Sequence, residues 1–279
     1  MNKASNNRIL VTGATGKTGF RVAQKLAARG AAVRRAARNG ADVHFDWGDP
    51  ATFGPALNDV SAVYLISPVL RVDFAGVVSR FLDEAEQAGV RHVTYLSAYG
   101  VEQAPPKVAL RAVELDLASR TALSHSIVRP AWFMQNFSEN FLRPVNDEIV
   151  VPCGSGAEAF VNAEDIASVA AATLLDPARH GGRAYAPTGP EALTFEQAGR
   201  HISAAAGRTI TYRDIDRNEW INAMTQAGVP AEYGAVLRAL TETVATGHGS
   251  RPNDDVLLTI GTAPTRFEDF AAKTAAAWR

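Results

Sequence analysis

The chain has 279 residues, 47% hydrophobic and 20% charged, enough apolar side chain for one large domain or two unequal ones. Lys and Arg total 28 against 29 Asp and Glu, a balance that gives no electrostatic ground for binding nucleic acid or an anionic membrane. The single cysteine, Cys153, excludes an internal disulfide.

The first predicted strand is RILVTGA, beginning at Arg8, with no apolar signal segment ahead of it. Three glycines follow at intervals of three: Gly13, Gly16 and Gly19. A helix then runs through Phe20, Val22, Ala23, Leu26 and Ala27 and ends at Gly30. AAVRRAA and DVHFD read as the second and third strands. VSAVYLI, an uninterrupted apolar run, reads as a fourth, covered on both faces. Phe74, Val77, Val78, Phe81, Leu82 and Ala85 mark one face of a helix. RHVTYLSA and HSIVRP are two further strands, separated by a helix near 108–122.

Strands alternating with helices predict right-handed crossovers and a mostly parallel, doubly wound α/β sheet of Rossmann type. After Pro130 the pattern loosens. EIVVPCGSGAEAFVN suggests a hairpin-like excursion, and AEDIASVAAATLL a helix capped by Asn162. Its IASVAAATLL portion, the longest apolar stretch, is about half the ~20 residues of a membrane span. GRAYAPTG returns one strand to the sheet, and TITYRDI supplies another short strand. Thr194 with Gln197, and Thr265 with Glu268, fit capping boxes. The expected division is a dinucleotide-binding domain over 1–146, rejoined by a strand near 183–187. The remainder, 147–279, forms a smaller, mostly helical substrate lobe over the carboxyl edge of the sheet. A soluble, cytoplasmic protein is expected.

The glycine spacing has a chemical reading. Gly13 makes the turn out of the strand, Gly16 lets backbone approach a pyrophosphate, and Gly19 lets helix pack on strand. The helix N-terminus points N–H groups and positive dipole at phosphate, with Thr15, Lys17 and Thr18 as further donors. The bland alternative is a plain strand-to-helix turn. NAD-binding chains usually carry Asp or Glu at the end of the second strand. This one has Arg38 there, with Arg34 and Arg35 near, which favours the 2′-phosphate of NADP(H) over a merely solvated patch. Asp46 and Trp47 suit either the adenine or an ordinary strand end with a buried aromatic. Ile66, Ser67 and Pro68, ending the fourth strand, are positioned along the cofactor.

VTGATGKTG, DVSAVYLISP, LSAYG, VRPAWFMQNF and VNAEDIA together resemble the NmrA-like atypical short-chain dehydrogenases. FDW, RPAWFMQNF and TRFEDFAAKTAAAW resemble more narrowly its festuclavine-dehydrogenase-like branch, associated with ergot alkaloid reduction. The resemblance runs over nearly the whole chain and implies a Rossmann domain, NADP(H) and a small substrate lobe. It also implies that Ser97, Ala98 and Tyr99 lie beside the nicotinamide. By the same resemblance, Pro130, Trp132, Phe133 and Asn136 line the nicotinamide and substrate cavity. The family holds reductases of quinones, dyes and iminium compounds, and also regulators that bind dinucleotide without turning it over.

No tyrosine of this chain is followed four places on by lysine, so the Tyr-x-x-x-Lys pair of most short-chain dehydrogenases is missing. The helix that would carry the lysine offers Leu110 and Glu114. A ketone becomes a basic alkoxide and needs an acid. An iminium ion becomes a neutral amine and needs none, and a quinone or cationic dye spreads its charge. The chemistry expected is hydride transfer from NADPH to an electron-poor conjugated acceptor. The alternative is a dinucleotide-sensing regulator. Tyr99 is a pocket wall or a proton donor, and Ser97 a second possible donor. Trp132, Phe133, Phe137, Phe160, Trp220 and Tyr233 could wall a pocket for a flat, aromatic small molecule, although each alone is also a common core residue. The histidines show no metal-ligand spacing, so no metal is expected. The sequence leaves the oligomeric state open.

Overall fold

The computed structural model describes residues 8–279. In chain order it runs β1 (Arg8–Thr12), α1 (Lys17–Ala28), β2 (Ala32–Ala37), β3 (Val43–His44), α2 (Phe53–Leu57) and β4 (Val60–Ile66). Next come α3 (Ala75–Gln87), β5 (His92–Leu96), α4 (Ala109–Ser119), β6 (Ser124–Val128) and α5 (Asn136–Glu139). Then follow β7 (Glu148–Val150), β8 (Ala157–Glu158), α6 (Ala163–Leu175), α7 (Pro177–His180), β9 (Arg183–Tyr185) and β10 (Leu193–Thr194). The chain closes with α8 (Phe195–Ala206), β11 (Thr211–Arg213), α9 (Arg217–Gln226), α10 (Gly234–Ala245), α11 (Asp255–Ile260) and α12 (Phe267–Thr274).

Two compact units result. The first takes the chain as far as Val69, then Asp73–Pro130 and Ile166–Ala186. The second holds Leu70–Val72, Ala131–Asp165 and Pro187–Arg279. The break follows Pro130 rather than 146, because Met134, Phe137 and Leu142 pack into the second unit's core.

The first unit is a seven-stranded sheet in the order β3-β2-β1-β4-β5-β6-β9. Every pair in it is parallel. Strand order reverses at β1 and β4, the switch point at whose carboxyl side such folds take ligands. One face is apolar: Leu10, Val63, Leu65, Val93, Tyr95 and Ile127 pack with Phe53, Phe81, Leu82, Val113 and Leu117 of α2, α3 and α4. The alternate residues of the central strands point the other way and are more polar. Tyr64, Thr94 and Ser126 lie side by side in register across β4, β5 and β6. Thr94 bonds Thr173 of α6 at 2.9 Å. His92 is 1% exposed. Its ring is held by Ser124 at 3.2 Å and Thr94 at 3.3 Å.

In the second unit, Phe137, Phe160, Phe195 and Phe267 meet mostly edge to face, with centroids 5.1–6.0 Å apart. The 148–162 stretch does not fold back on itself as a hairpin. Strand β7 pairs in parallel with the distant β11, and β8 antiparallel with β10. The capping box at Thr194 and Gln197 forms with both reciprocal bonds. The one expected at Thr265 does not: α12 starts at Phe267, and the Thr265 N–H donates to Asp165 instead. Asn162 caps α6 by accepting the Glu164 N–H at 3.0 Å. No helix of the described residues is long and apolar enough to cross a membrane.

Candidate functional site

The β1–α1 loop is shaped by backbone contact. Gly13 sits at φ +59°, where a side chain would be strained. The Gly16 N–H returns to Gly13 O at 2.9 Å. A Cβ on Gly19 would lie 2.3 Å from Gly13 O and 2.7 Å from Gly13 C, so helix and loop touch backbone to backbone. Gly16 is the N-cap of α1, and no side chain caps that end. An uncapped helix start with no acid in its first turn is suited to an anion. Thr15 is exposed and borders the loop after β2: a Cβ on Gly40 would lie 3.7 Å from Thr15 Cγ2. Lys17 is half-buried, and Thr18 is buried.

The three arginines separate by occupation. Arg34 donates to the carbonyls of Ala56 and Asn58 at the end of α2. Arg35 grips Asp42, with Nη2 to Oδ1 at 2.6 Å, and holds that carboxyl below its usual range. Neither is free for a ligand. Arg38 is exposed, and its side chain has no carboxylate partner among the described residues.

Asp46 spends Oδ1 on the Gly48 N–H at 2.9 Å. Trp47 donates its indole N–H to Ile66 O at 3.2 Å and packs edge-on to Phe45, Phe53 and Phe81. That is the strand-end reading of both. Ile66 lies against Gly13, with Cδ1 3.1 Å from where a Cβ would stand. Ser67 and Pro68 are buried, and Ser67 Oγ meets Tyr95 Oη at 2.8 Å.

At the carboxyl end of β5, Ser97 Oγ donates to Glu114 Oε1 at 2.7 Å. Its only hydrogen points at that carboxylate, so Ser97 would have to leave this bond to donate to a ligand. Ala98 is half-buried, and Tyr99 is 39% exposed. The Tyr99 N–H reaches Pro130 O at 3.1 Å, and Pro130 is buried. Helix α4 carries no lysine. The charged cluster built around Glu114 was not anticipated as a unit. Its one sequence signal was an acid at the inward turn of a helix where lysine is usual.

In the second unit, Trp132 and Phe133 keep partial exposure. The Trp132 ring meets Phe141 and Phe195. Asn136 is half-buried at the start of α5. Phe137 and Phe160 are 0% and 1% exposed, enclosed by aromatic neighbours. That burial favours the core alternative over the pocket-wall one for both. Trp220, 2% exposed, donates to Val150 O and is likewise core. Tyr233 is half-buried.

Sequence reasoning also missed Glu158. It is 2% exposed, and burial pushes its carboxyl up. It accepts the Ser250 N–H at 2.9 Å and the Trp132 N–H at 3.3 Å. The Cys153 thiol is fully buried and pushed up by that burial, which suits an inert side chain. Among the described residues no three His, Cys, Asp or Glu gather where they could hold a metal.

Comparison with known proteins agrees with this frame. An uncharacterized oxidoreductase, YesF, of Bacillus subtilis is 36% identical, over 98% of this chain and 96% of its own length. Agroclavine dehydrogenase of Claviceps fusiformis is 32% identical, over 97% and 98%. The crystal structure of Citrobacter sp. triphenylmethane reductase complexed with NADP(H) superposes with a TM-score of 0.79 at 25% identity, covering 96% of this chain and 99% of that one. The NmrA-like family profile matches residues 5–254, and the chain belongs to that family.

Proposed function

We propose that the protein is an NADPH-dependent reductase that passes hydride to an electron-poor conjugated acceptor, such as an iminium ion, a quinone or a cationic dye. The observation that carries the reading is the glycine cradle together with Arg38, whose side chain has no carboxylate partner among the described residues. The Gly13–Gly19 loop fits a diphosphate because it folds backbone to backbone at Gly16 and Gly19 ahead of an uncapped helix start, and Arg38 fits a 2′-phosphate because no carboxylate among the described residues engages it. The relatives named oxidoreductase, dehydrogenase and NADP(H)-bound reductase support the same class.

When bound, the cofactor supplies the hydride. The protein's own residues hold and orient. The cradle and the α1 terminus would fix the phosphates. Arg38 would select the phosphorylated ribose, and Ser67, Pro68, Ala98 and Pro130 would bound the nicotinamide end. An iminium acceptor becomes a neutral amine and needs no proton, which agrees with a Ser97 hydroxyl that donates its hydrogen bond to Glu114 and an α4 without lysine. Catalysis then rests on register between two bound partners, which supplies about 7–11 kcal/mol in favourable cases.

The direct test is NADPH oxidation, followed by absorbance, against cyclic iminium compounds, quinones and triphenylmethane dyes. Tight NADPH binding with no acceptor reduced would remove the reductase reading and favour a dinucleotide sensor.

Two substitutions examine the parts. Arg38→Ala is expected to weaken NADPH about 10- to 100-fold, the value of one charged hydrogen bond. NADH binding and the melting temperature stay where they were, because Arg38 is exposed and unpaired. Equal loss for both dinucleotides in a fluorescence titration contradicts the assignment. Tyr99→Phe is expected to change kcat with an iminium or dye acceptor by less than about threefold, whereas loss of a working general acid costs about a hundredfold or more.

A further inference from the structure

The segments that leave β5 and β6 hang from one buried carboxylate. Glu114 on α4 is 3% exposed. It accepts Ser97 Oγ at 2.7 Å, Arg129 Nε and Nη2 each at 2.8 Å, and Arg111 Nη1 at 3.0 Å. Burial pushes this carboxyl up, but the bonds from Arg129 and Ser97 outweigh it and hold the group below its usual range. It is therefore a carboxylate at neutral pH.

Its partners occupy matching positions. Leu96 stands opposite Val128 at the last rung of the β5–β6 ladder. Ser97 and Arg129 are the next residue on each chain, and both reach Glu114. The pairing continues past the strands: the Ser97 N–H donates to Val128 O at 2.8 Å and the Tyr99 N–H to Pro130 O at 3.1 Å. On the far side, the Arg129 N–H donates to Tyr185 O at 2.7 Å. One carboxylate thus fixes two loops that have already left the sheet.

Stability alone does not account for the arrangement. Desolvating a carboxylate and a guanidinium is costly, and apolar side chains of similar volume commonly stabilise as well or better. A two-pronged Arg–carboxylate contact supplies fixed distance and direction instead. Arg129 itself is 16% exposed, with Glu102 3.5 Å away as a second, weaker partner.

We propose that Glu114 and Arg129 are positioning residues, holding 97–99 and 129–130 in register so that the nicotinamide end of the cofactor meets a rigid wall. The proposal rests on the NADPH-reductase reading above. Neither residue touches the cofactor in this account; both act through the segments they fix.

The test compares the full cofactor with 2′-phospho-ADP-ribose, which has the adenine end and lacks nicotinamide. The double variant Glu114→Leu/Arg129→Met removes both charges together and avoids leaving either one orphaned. It is expected to melt within a few degrees of wild type and to bind 2′-phospho-ADP-ribose unchanged. NADPH binding weakens about tenfold, and kcat falls about 10- to 100-fold, the scale of a misplaced reacting group. Arg120→Met is the control, because it breaks the Asp83, Asp116 and Glu86 cluster between α3 and α4. It is expected to leave the ratio of the two affinities alone.

If NADPH and fragment affinities move in parallel, or neither moves, in the folded double variant, the positioning role is wrong. Should that variant fail to fold, Glu114→Gln keeps the shape, and the same affinity ratio decides. Wild-type protein that binds no NADPH overturns the reductase reading, and the positioning proposal with it. That outcome is distinct from wild-type binding with an unchanged ratio in the variant.

Discussion

Gly19→Ala is expected to abolish dinucleotide binding, raising the NADPH Kd by two powers of ten or more, the worth of two charged hydrogen bonds. The new methyl would stand 2.3 Å from Gly13 O and 2.7 Å from Gly13 C, and both atoms are backbone. No side chain can swing aside. The loop must lift from α1, which displaces the N–H groups proposed to hold the diphosphate, and such overpacking costs about 1–3 kcal/mol of stability. Gly16→Ala is the internal comparison. Its methyl would lie 3.2 Å from Gly13 O, and its φ of −88° suits any residue, so it is expected to melt closer to wild type than Gly19→Ala, while losing NADPH affinity because position 16 also faces the proposed diphosphate. Parallel NADPH titrations and thermal melts of the two variants read the difference. Comparable binding by Gly19→Ala and wild type would refute the cradle.

Acid is expected to destabilise the first unit through His92. Burial, followed by the nearby His125 and His180, lowers its pKa from 6.5 to about 4. The folded protein therefore keeps this imidazole neutral at pH values where the unfolded chain binds a proton. The associated stability is fully present above about pH 6.5 and is lost as pH falls towards 4. A shift of this size corresponds to about 3 kcal/mol over that window. His92→Gln removes the titration while retaining hydrogen-bonding capacity toward Ser124 and Thr94. Denaturant unfolding at pH 7 and pH 4.5 should show a steeper loss in wild type than in His92→Gln. Equal slopes would assign the acid lability to other groups. Glu158, whose carboxyl is pushed up by burial, works in the opposite sense and is common to both proteins.

Much of the first unit was legible because its signals are local. The apolar run VSAVYLI became β4, and the helical face from Phe74 to Ala85 became α3 with Val78, Phe81, Leu82 and Ala85 buried. Gly30, at φ +77°, follows α1 as expected. What escaped depends on partners distant in the chain. No pattern within 148–162 reveals that β7 will pair with β11, some sixty residues later. Thr265 and Glu268 have the spacing of a capping box, but Asp165 takes the Thr265 N–H first.

Phe137 and Phe160 illustrate a different limit. An aromatic run carries the same apolar signal whether it faces a ligand or three other rings, and only packing separates the two. The site divides similarly. Glycine spacing is a backbone property and could be read directly. Arg34, Arg35 and Arg38 look alike in sequence, and their separation came from where Asp42 and the α2 carbonyls lie. Glu114 reads in sequence only as a residue that is not lysine, because its three donor residues come from the segments just past β5 and β6 and from its own helix.

The unequal employment of those arginines bears on how such a protein changes over time. Arg34 braces α2 and Arg35 locks Asp42, so replacing either disturbs the scaffold. Residue 38 has no scaffold duty, and exposed positions of that kind tolerate exchange within about half a kcal/mol. If Arg38 selects the phosphorylated ribose as proposed, preference between phosphorylated and unphosphorylated dinucleotide is free to drift along a lineage by single substitutions at one solvent-facing site. The loop proposed to grip the diphosphate has no such freedom, since position 19 admits nothing larger than hydrogen.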